Sequence, residues 1–357
     1  MTLAHRPETT ATAATASAAE PAVPAADPVL CVEAAVTSVT RLCPSFRRIT
    51  LAGPELGTLS PALIGDGGLT RCRDAYVKLL VPPPGRAPER ADLSAGLREG
   101  WFARPAEERG WMRTYTVRSV RRTVLGGVPV PELVIDVVVH GGHGQDGPGS
   151  RWARTVAPGE RVYLLGPGPQ ERPWAAWDHG GAWRVLAVGD ETAAPALMSV
   201  AEEFTETAHG PAQDGARPRL DVVLEVPRSE DVAAHRLLAE LPDVRLHVLP
   251  RAGRGARAGH GHRAAVRLAH LLELPGSAVD DVLAGRRPQR GLAAAEDPSE
   301  PRAWSVATPE RPDVPYVFLA GESGTVKALR RLCVDAAGIP KEHVSFMGYW
   351  RQGQAES

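Results

Sequence analysis

The sequence predicts a β + α/β chain: an N-terminal antiparallel six-stranded barrel, then a C-terminal doubly wound parallel sheet. Three observations carry this. With 357 residues, 43% of them hydrophobic and 23% charged, the chain is long enough for two sizeable cores. Between residues 29 and 165 the apolar segments are short and split by Pro, Gly and Ser turns, with little helix, as in a small antiparallel barrel. From residue 184 continuous apolar strands alternate with helical stretches, as in a parallel sheet covered on both faces.

The elements follow in order. Residues 1–28 are low-complexity Ala, Thr and Pro and are expected to form a disordered tail. The barrel domain is expected over 29–171. Residues 31–39 and 48–51 read as strands around a Pro44-Ser45 turn. Residues 74–81 form a strand that three prolines end, because proline cannot continue a ladder. A Pro/Gly/Arg/Glu-rich surface insertion is expected over 83–110. Strand 113–119 follows, then a hairpin turn at Gly126-Gly127 and strand 133–140. A glycine-rich loop feeds a helix whose N-cap region holds Ser150, and strand 161–165 closes the barrel.

The α/β domain is expected over 178–357. Residues 184–188 form its first strand, which runs into a helix through Phe204. Strands 220–226 and 244–249 follow, with a helix over 231–240 between them. Residues 251–312 interrupt the alternation and are expected to hold a short helix and then a mobile insertion. Strand 316–320 leads to a helix through Ala337, and 344–347 is the last strand.

Composition excludes several functions. The formal net charge is −1, which gives no electrostatic case for nucleic-acid or membrane-surface binding. No apolar run reaches the roughly 18 residues that a membrane span needs, and the N-terminus lacks the basic start and apolar core of a signal peptide. A cytoplasmic monomer is expected. Cys31, Cys43, Cys72 and Cys333 show no Cys-x-x-Cys and no Cys/His metal spacing, and so read as reduced thiols. His260 and His262 form a His-x-His pair without a third ligand at sensible spacing, so no protein-bound metal is expected.

The chemistry centres on residues 111–119. In a strand, Arg113, Tyr115 and Val117 point one way and Met112, Thr114, Thr116 and Arg118 the other. One face then offers a cation and a phenol about 7 Å apart, which suits a ligand flat at one end and anionic at the other, as flavin nucleotides are. An ordinary half-buried strand is the plain alternative, since so short a motif recurs freely. The glycines of 141–149 and the helix start after them offer backbone N–H groups to a pyrophosphate; a flexible loop before a capped helix is the alternative there.

The order of motifs is more specific than any one of them. The chain reads Arg-x-Tyr-Thr (113–116), Asp-x-x-x-His-Gly (136–141), Gly-Pro-x-Ser-x-Trp-Ala (147–153), Gly-Asp-Glu-Thr-Ala-x-Pro-Ala (189–196), Ala-Gly-Glu-Ser (320–323) and Gly-Tyr-Trp-Arg-x-Gly (348–353). This succession resembles the siderophore-interacting protein family, FAD-dependent NAD(P)H ferric-siderophore reductases related to the ferredoxin–NADP reductases. It extends over about residues 29–353, apart from the two insertions.

The resemblance implies an FAD-binding barrel and an NAD(P)H-binding α/β domain. It implies Arg113 on the cofactor's phosphate, Tyr115 against the flavin ring and Thr116 near its reactive nitrogen, with Tyr115 and Thr116 as the catalytic candidates. Asp136 and His140 match the strand beside the cofactor, and Gly149, Ser150 and Trp152 the pyrophosphate loop and its helix. Gly189, Asp190, Glu191, Thr192 and Pro195 match the nicotinamide-side motif, and Gly321 and Glu322 a second one. Trp152 also fits a core position, and Asp190 and Glu322 fit helix caps. Trp350 either packs or covers the flavin face. Lys78 matches a lysine that in some members receives the anionic siderophore, with Tyr76 where the family often has His; a solvated charge is the alternative.

The implied function is hydride transfer from NADH or NADPH to FAD, then electron transfer to siderophore-bound Fe(III), releasing Fe(II) for iron assimilation. Two alternatives stand beside it: a flavin-dependent NAD(P)H oxidoreductase serving another acceptor, and a siderophore- or flavin-binding protein without turnover. Arg228, just after the second α/β strand, is available to a 2′-phosphate.

Overall fold

The computed structural model describes residues 28–65, 72–139, 147–207, 218–235, 241, 243–252, 258–286 and 304–353. But for Pro28, the tail expected over 1–28 lies outside them, as does His140.

Among the described residues, six antiparallel strands close a barrel in the order β1-β2-β5-β4-β3-β6. They are β1 (Val29–Cys43), β2 (Phe46–Ala52), β3 (Tyr76–Val81), β4 (Trp111–Leu125), β5 (Val128–Val138) and β6 (Arg161–Pro167). Period-two burial sets the inside: Val32, Ala34 and Val36 of β1 alternate inward with less buried neighbours. The β4–β5 hairpin turns through Gly126 and Gly127, both at positive φ (58° and 83°), between the paired Leu125 and Val128. Glycine carries no Cβ penalty there. Helix α1 (Pro61–Ile64) adds Leu63 and Ile64 to the barrel core.

The segment expected as a surface insertion is a cover on the barrel. It carries α2 (Ala106–Arg109) and sets Ala91 and Trp101 against Leu80, Met112, Tyr163 and Leu165. The outward-facing side of β3, β4 and β6 is apolar there, and the segment removes it from water. Helix α3 (Pro148–Thr155) follows β5; its N-cap is Gly147, and Ser150 stands inside the first turn.

The second sheet has the order β10-β12-β11-β7-β8-β9. Its strands are β7 (Arg184–Gly189), β8 (Arg219–Arg228), β9 (Val244–Ala252), β10 (Trp304–Ser305), β11 (Tyr316–Glu322) and β12 (Val344–Trp350). All neighbours are parallel except β10, which runs antiparallel to β12. Helix α4 (Ala194–Thr207) packs on one face, and α5 (His262–Leu271), α6 (Gly276–Leu283) and α7 (Ser323–Arg331) on the other. The chain winds outward through β8 and β9, then returns to β11 and β12. The winding therefore reverses between β7 and β11, where doubly wound sheets open a ligand crevice.

Two expectations change. Residues 262–283 are no insertion: Ala264, Ala265, Leu268, Val279 and Val282 are buried against the sheet. The short helix expected in this stretch is α5; α6 follows where an insertion was expected, its short apolar face giving a weak periodic signal. The helix expected over 231–240 is instead a 3₁₀ segment, Ser229–His235, and 236–240 lie outside the described residues.

The two domains share an interface. Phe46 and Cys43 of the barrel sit in the core of the α/β domain. Ser45 donates from its N–H and hydroxyl to the Asp231 carboxylate (3.2 and 2.8 Å). Arg118 of β4 holds Glu202 of α4 with two bonds, 2.9 and 2.5 Å. The linker is fixed by Asp74, which accepts from the N–H groups of Ala176 and Trp177 (2.8 and 3.0 Å).

Candidate functional site

A cavity of about 1040 Å³ opens between the domains. Ligand pockets run to about 1,000 Å³, so this one stands at the upper end of that range, a size that suits a dinucleotide.

The barrel wall is built by β3, β4 and the start of α3. Arg113, Tyr115 and Thr116 all line the cavity, and they do so from both faces of β4. Tyr115 and Val117 belong to the barrel-core side, whereas Thr114 and Thr116 pair with Lys78 and Tyr76 of β3. Helix α3 approaches β4 so closely that a Cβ at Gly149 would collide with the Tyr115 hydroxyl and come within 3.5 Å of Arg113 Cγ. Only glycine fits there, and Ser150 is buried one residue on. An aromatic ring, a guanidinium and the positive end of a helix therefore meet at one place.

The sequence-predicted residues divide. Asp136 lines the cavity, but Arg48 of β2 holds its carboxylate with two bonds of 2.7 and 2.8 Å. What faces the cavity is an ion pair rather than a free acid. Trp152 follows the second of its two readings: it is 9% exposed, lies in the barrel core, and is not among the residues that line the cavity. On an amphipathic helix it falls on the buried side with Ala153. Lys78 lines the cavity, donates to Thr114 Oγ1 (3.2 Å) and lies 5.8 Å from the Tyr76 ring.

The opposite wall comes from the crevice. Thr192, Pro195, Tyr349 and Trp350 line it. Behind them Asp190 joins the strand ends. Its Oδ1 accepts from the N–H and hydroxyl of Thr192 (2.9 and 2.6 Å), and its Oδ2 accepts from Glu322 N–H (2.7 Å) and Trp350 Nε1 (3.0 Å). Gly189 and Gly321 also act in packing rather than lining the cavity. A Cβ on Gly189 would meet Ala320 O and Ala193, and one on Gly321, at φ 138°, would meet the Asp190 carboxylate at 2.6 Å. Glu191 is buried in an ion pair with Arg251 (2.6 Å), and Arg251 also meets Glu225 (3.2 Å). Glu322 caps α7 by accepting from Thr325 N–H (2.7 Å). Burial raises the pKa of that carboxyl, but the Thr325, Gly324 and Gln352 N–H groups outweigh it and hold the group below the usual carboxylate range.

Sequence reasoning missed several neighbours. Tyr349 lines the cavity with Thr116 of the other domain, and burial pushes its hydroxyl well above the usual phenol range, with Thr116 opposing the shift. Its signal was present beside Trp350 in the Gly-Tyr-Trp motif. His260 lies edge-on to Trp350 (5.3 Å between centroids) and 3.4 Å from Asp190. Arg48, Arg251 and Trp304 carry no local motif.

Residues 35–171 match the family model described as the siderophore-interacting FAD-binding domain, and residues 182–353 that of siderophore-interacting proteins. The chain is 31% identical over 202 residues to an uncharacterized protein of Mycobacterium tuberculosis, covering 55% of this chain and 62% of that one. It thus spans less than two thirds of that relative's length. It is 25% identical over 264 residues to the ferric vibriobactin reductase ViuB of Vibrio cholerae, covering 74% and 73%. Among solved structures, the siderophore-interacting protein SipS from Aeromonas hydrophila superposes with a TM-score of 0.52 at 25% identity, covering 91% of this chain and 93% of that one.

Proposed function

The chain belongs to the siderophore-interacting protein family, and from that membership we propose that it is a ferric-siderophore reductase. NAD(P)H is the reductant, FAD the bound cofactor, and siderophore-held Fe(III) the acceptor. One hydride reduces two ferric complexes in turn, giving NAD(P)⁺, a proton and two Fe(II). The observation that carries the reading is the single cavity walled by Arg113, Tyr115 and Thr116 on one side and by Thr192, Pro195 and Tyr349 on the other.

The wall fits FAD: the Gly149 cradle sits against Tyr115 and Arg113, and the volume accommodates it. Bound there, FAD supplies the conversion from a two-electron donor to one-electron delivery. In this reading Arg113, Ser150 and the α3 N–H groups hold the pyrophosphate, while Tyr115 flanks the ring system. Thr116 and Tyr349 shape the reacting end, and Thr192 and Pro195 receive the nicotinamide. Asp190 is a positioning residue, since its oxygens fix Thr192, Trp350 and the β11 end. Lys78 attracts the anionic chelate. Reduction loosens the complex, because Fe(II) holds hard oxygen ligands less tightly than Fe(III). The reaction is assigned to the cytoplasm, where the free cysteines stay reduced.

The test is anaerobic absorbance. Purified protein is expected to be yellow, to bleach with NADH or NADPH, and to regain colour when a ferric siderophore is added. Bleaching that no ferric chelate reverses would move the function to another acceptor. Failure to bleach with either nucleotide would leave a binding protein.

A further inference from the structure

Trp304 is 61% exposed, whereas Trp101, Trp152 and Trp177 are buried. An aromatic side chain buries about 150–250 Å² when packed, so an indole left in water forgoes a large gain. Its backbone is nonetheless fixed. Trp304 pairs with Met347 and Ser305 with Phe346 along β12. Two residues on, the Ala307 N–H donates to Ser345 Oγ (2.9 Å), and that hydroxyl donates to Ala176 O (3.2 Å) in the interdomain linker. A held strand therefore presents an exposed ring.

Trp304 lines the same cavity as Tyr76, Lys78, Arg172 and Trp174, and does so from the α/β domain. Tyr76 and Trp174 stand 5.6 Å apart, and the Lys78 ammonium lies 5.8 Å from the Tyr76 ring. Aromatic faces on two sides with cations among them favour a ligand that is flat, π-rich and negative. Ferric chelates differ in just these properties. A tris-catecholate complex carries an aromatic ring on every arm and a net negative charge, whereas a tris-hydroxamate complex is aliphatic around the metal and neutral.

We propose that Trp304 is a substrate-contacting specificity residue, which selects aromatic, anionic ferric chelates over aliphatic, neutral ones. The proposal rests on the reductase reading above. Its geometry uses the β10 edge strand, which joins the sheet antiparallel beside β12 and sets Trp304 on the wall of the cavity that Lys78 lines from β3.

Gallium(III) chelates test it, because gallium mimics Fe(III) but accepts no electron, so binding is read without turnover. FAD-loaded wild type, Trp304→Ala and Trp304→Phe would be dialysed against a gallium tris-catecholate and a gallium tris-hydroxamate, with bound gallium measured by elemental analysis. NAD(P)H affinity and ferricyanide reduction report whether the fold and flavin are intact. Trp304→Ala is expected to weaken the catecholate about tenfold, the scale of one lost aromatic contact. Trp304→Phe should recover most of that loss, and hydroxamate and nucleotide binding should not change. Equal loss for both chelates, no loss for either, or a loss confined to NAD(P)H would overturn the assignment while leaving the reductase reading in place. If wild type binds neither chelate, the reductase reading falls and this inference with it.

Discussion

At the scale of single residues, the site depends on close approach. Gly149→Ala would drive a methyl group into the Tyr115 hydroxyl, so the phenol or α3 must move. FAD occupancy, read as the ratio of flavin to protein absorbance, is expected to fall several-fold. Adding Tyr115→Phe removes the hydroxyl and should restore part of it; full occupancy in Gly149→Ala alone would disprove the cradle. Asp74 gives a second prediction. It is 1% exposed and satisfies two linker N–H groups. Asp74→Ala would orphan both, at about 1–3 kcal/mol each, so urea denaturation should show roughly 2–6 kcal/mol lost. At this scale the sequence was legible where candidates sat within one motif: Arg113, Tyr115 and Thr116 all line the one cavity. Asp136 and Arg48 are 88 positions apart, and no spacing announces such a pair.

At the scale of elements, β4 is the joint. It lends Val117 to the barrel core, Thr116 to the cavity and Arg118 to α4. The Arg118 and Glu202 side chains are 13% and 15% exposed, dry enough for a two-bond pair to exceed a surface ion pair. A double-mutant cycle with Arg118→Ala and Glu202→Ala should give a coupling of about 1–2 kcal/mol, and a coupling near zero would mean that the contact is solvent-screened. The barrel strands were legible because alternation forces one register. The Gly126-Gly127 hairpin was legible because two adjacent positive-φ positions demand glycine. One short helix was expected where α5 and α6 stand; the second was not legible, since eight residues with a small apolar face make a shallow stripe. Two-residue β10 is set by its partner β12 alone.

At the scale of the whole molecule, the domains are packed into one another. His235 of the α/β domain stands edge-on to Phe46 of the barrel at 4.5 Å, and its Nε2 has no hydrogen-bond partner among the described residues. Burial lowers its pKa from 6.5 to about 4, with Arg118 and Arg48 adding to the shift and Asp136 and Asp231 opposing it. Unfolded, this imidazole binds a proton below pH 6.5; folded, only below about 4. Between those values the unfolded state holds more protons, so stability falls as pH drops from 6.5 to 4, by roughly 3 kcal/mol at most. Melting temperature should decline over that window, and His235→Gln should flatten the decline. An unchanged slope in that variant would show that His235 is not the group responsible.

The sequence by itself determined the two architectures, their order and the flavin-side motif. These depend on local periodicity, turn chemistry and short runs of functional residues, all written along the chain. Only the tertiary structure decided between the two readings of Trp152, paired Asp136 with Arg48, and set Tyr349, Trp304 and Lys78 on the walls of one cavity. Each of those facts depends on residues far apart in sequence. Their proximity follows from how the barrel and the sheet bury apolar surface against each other, which no segment specifies alone.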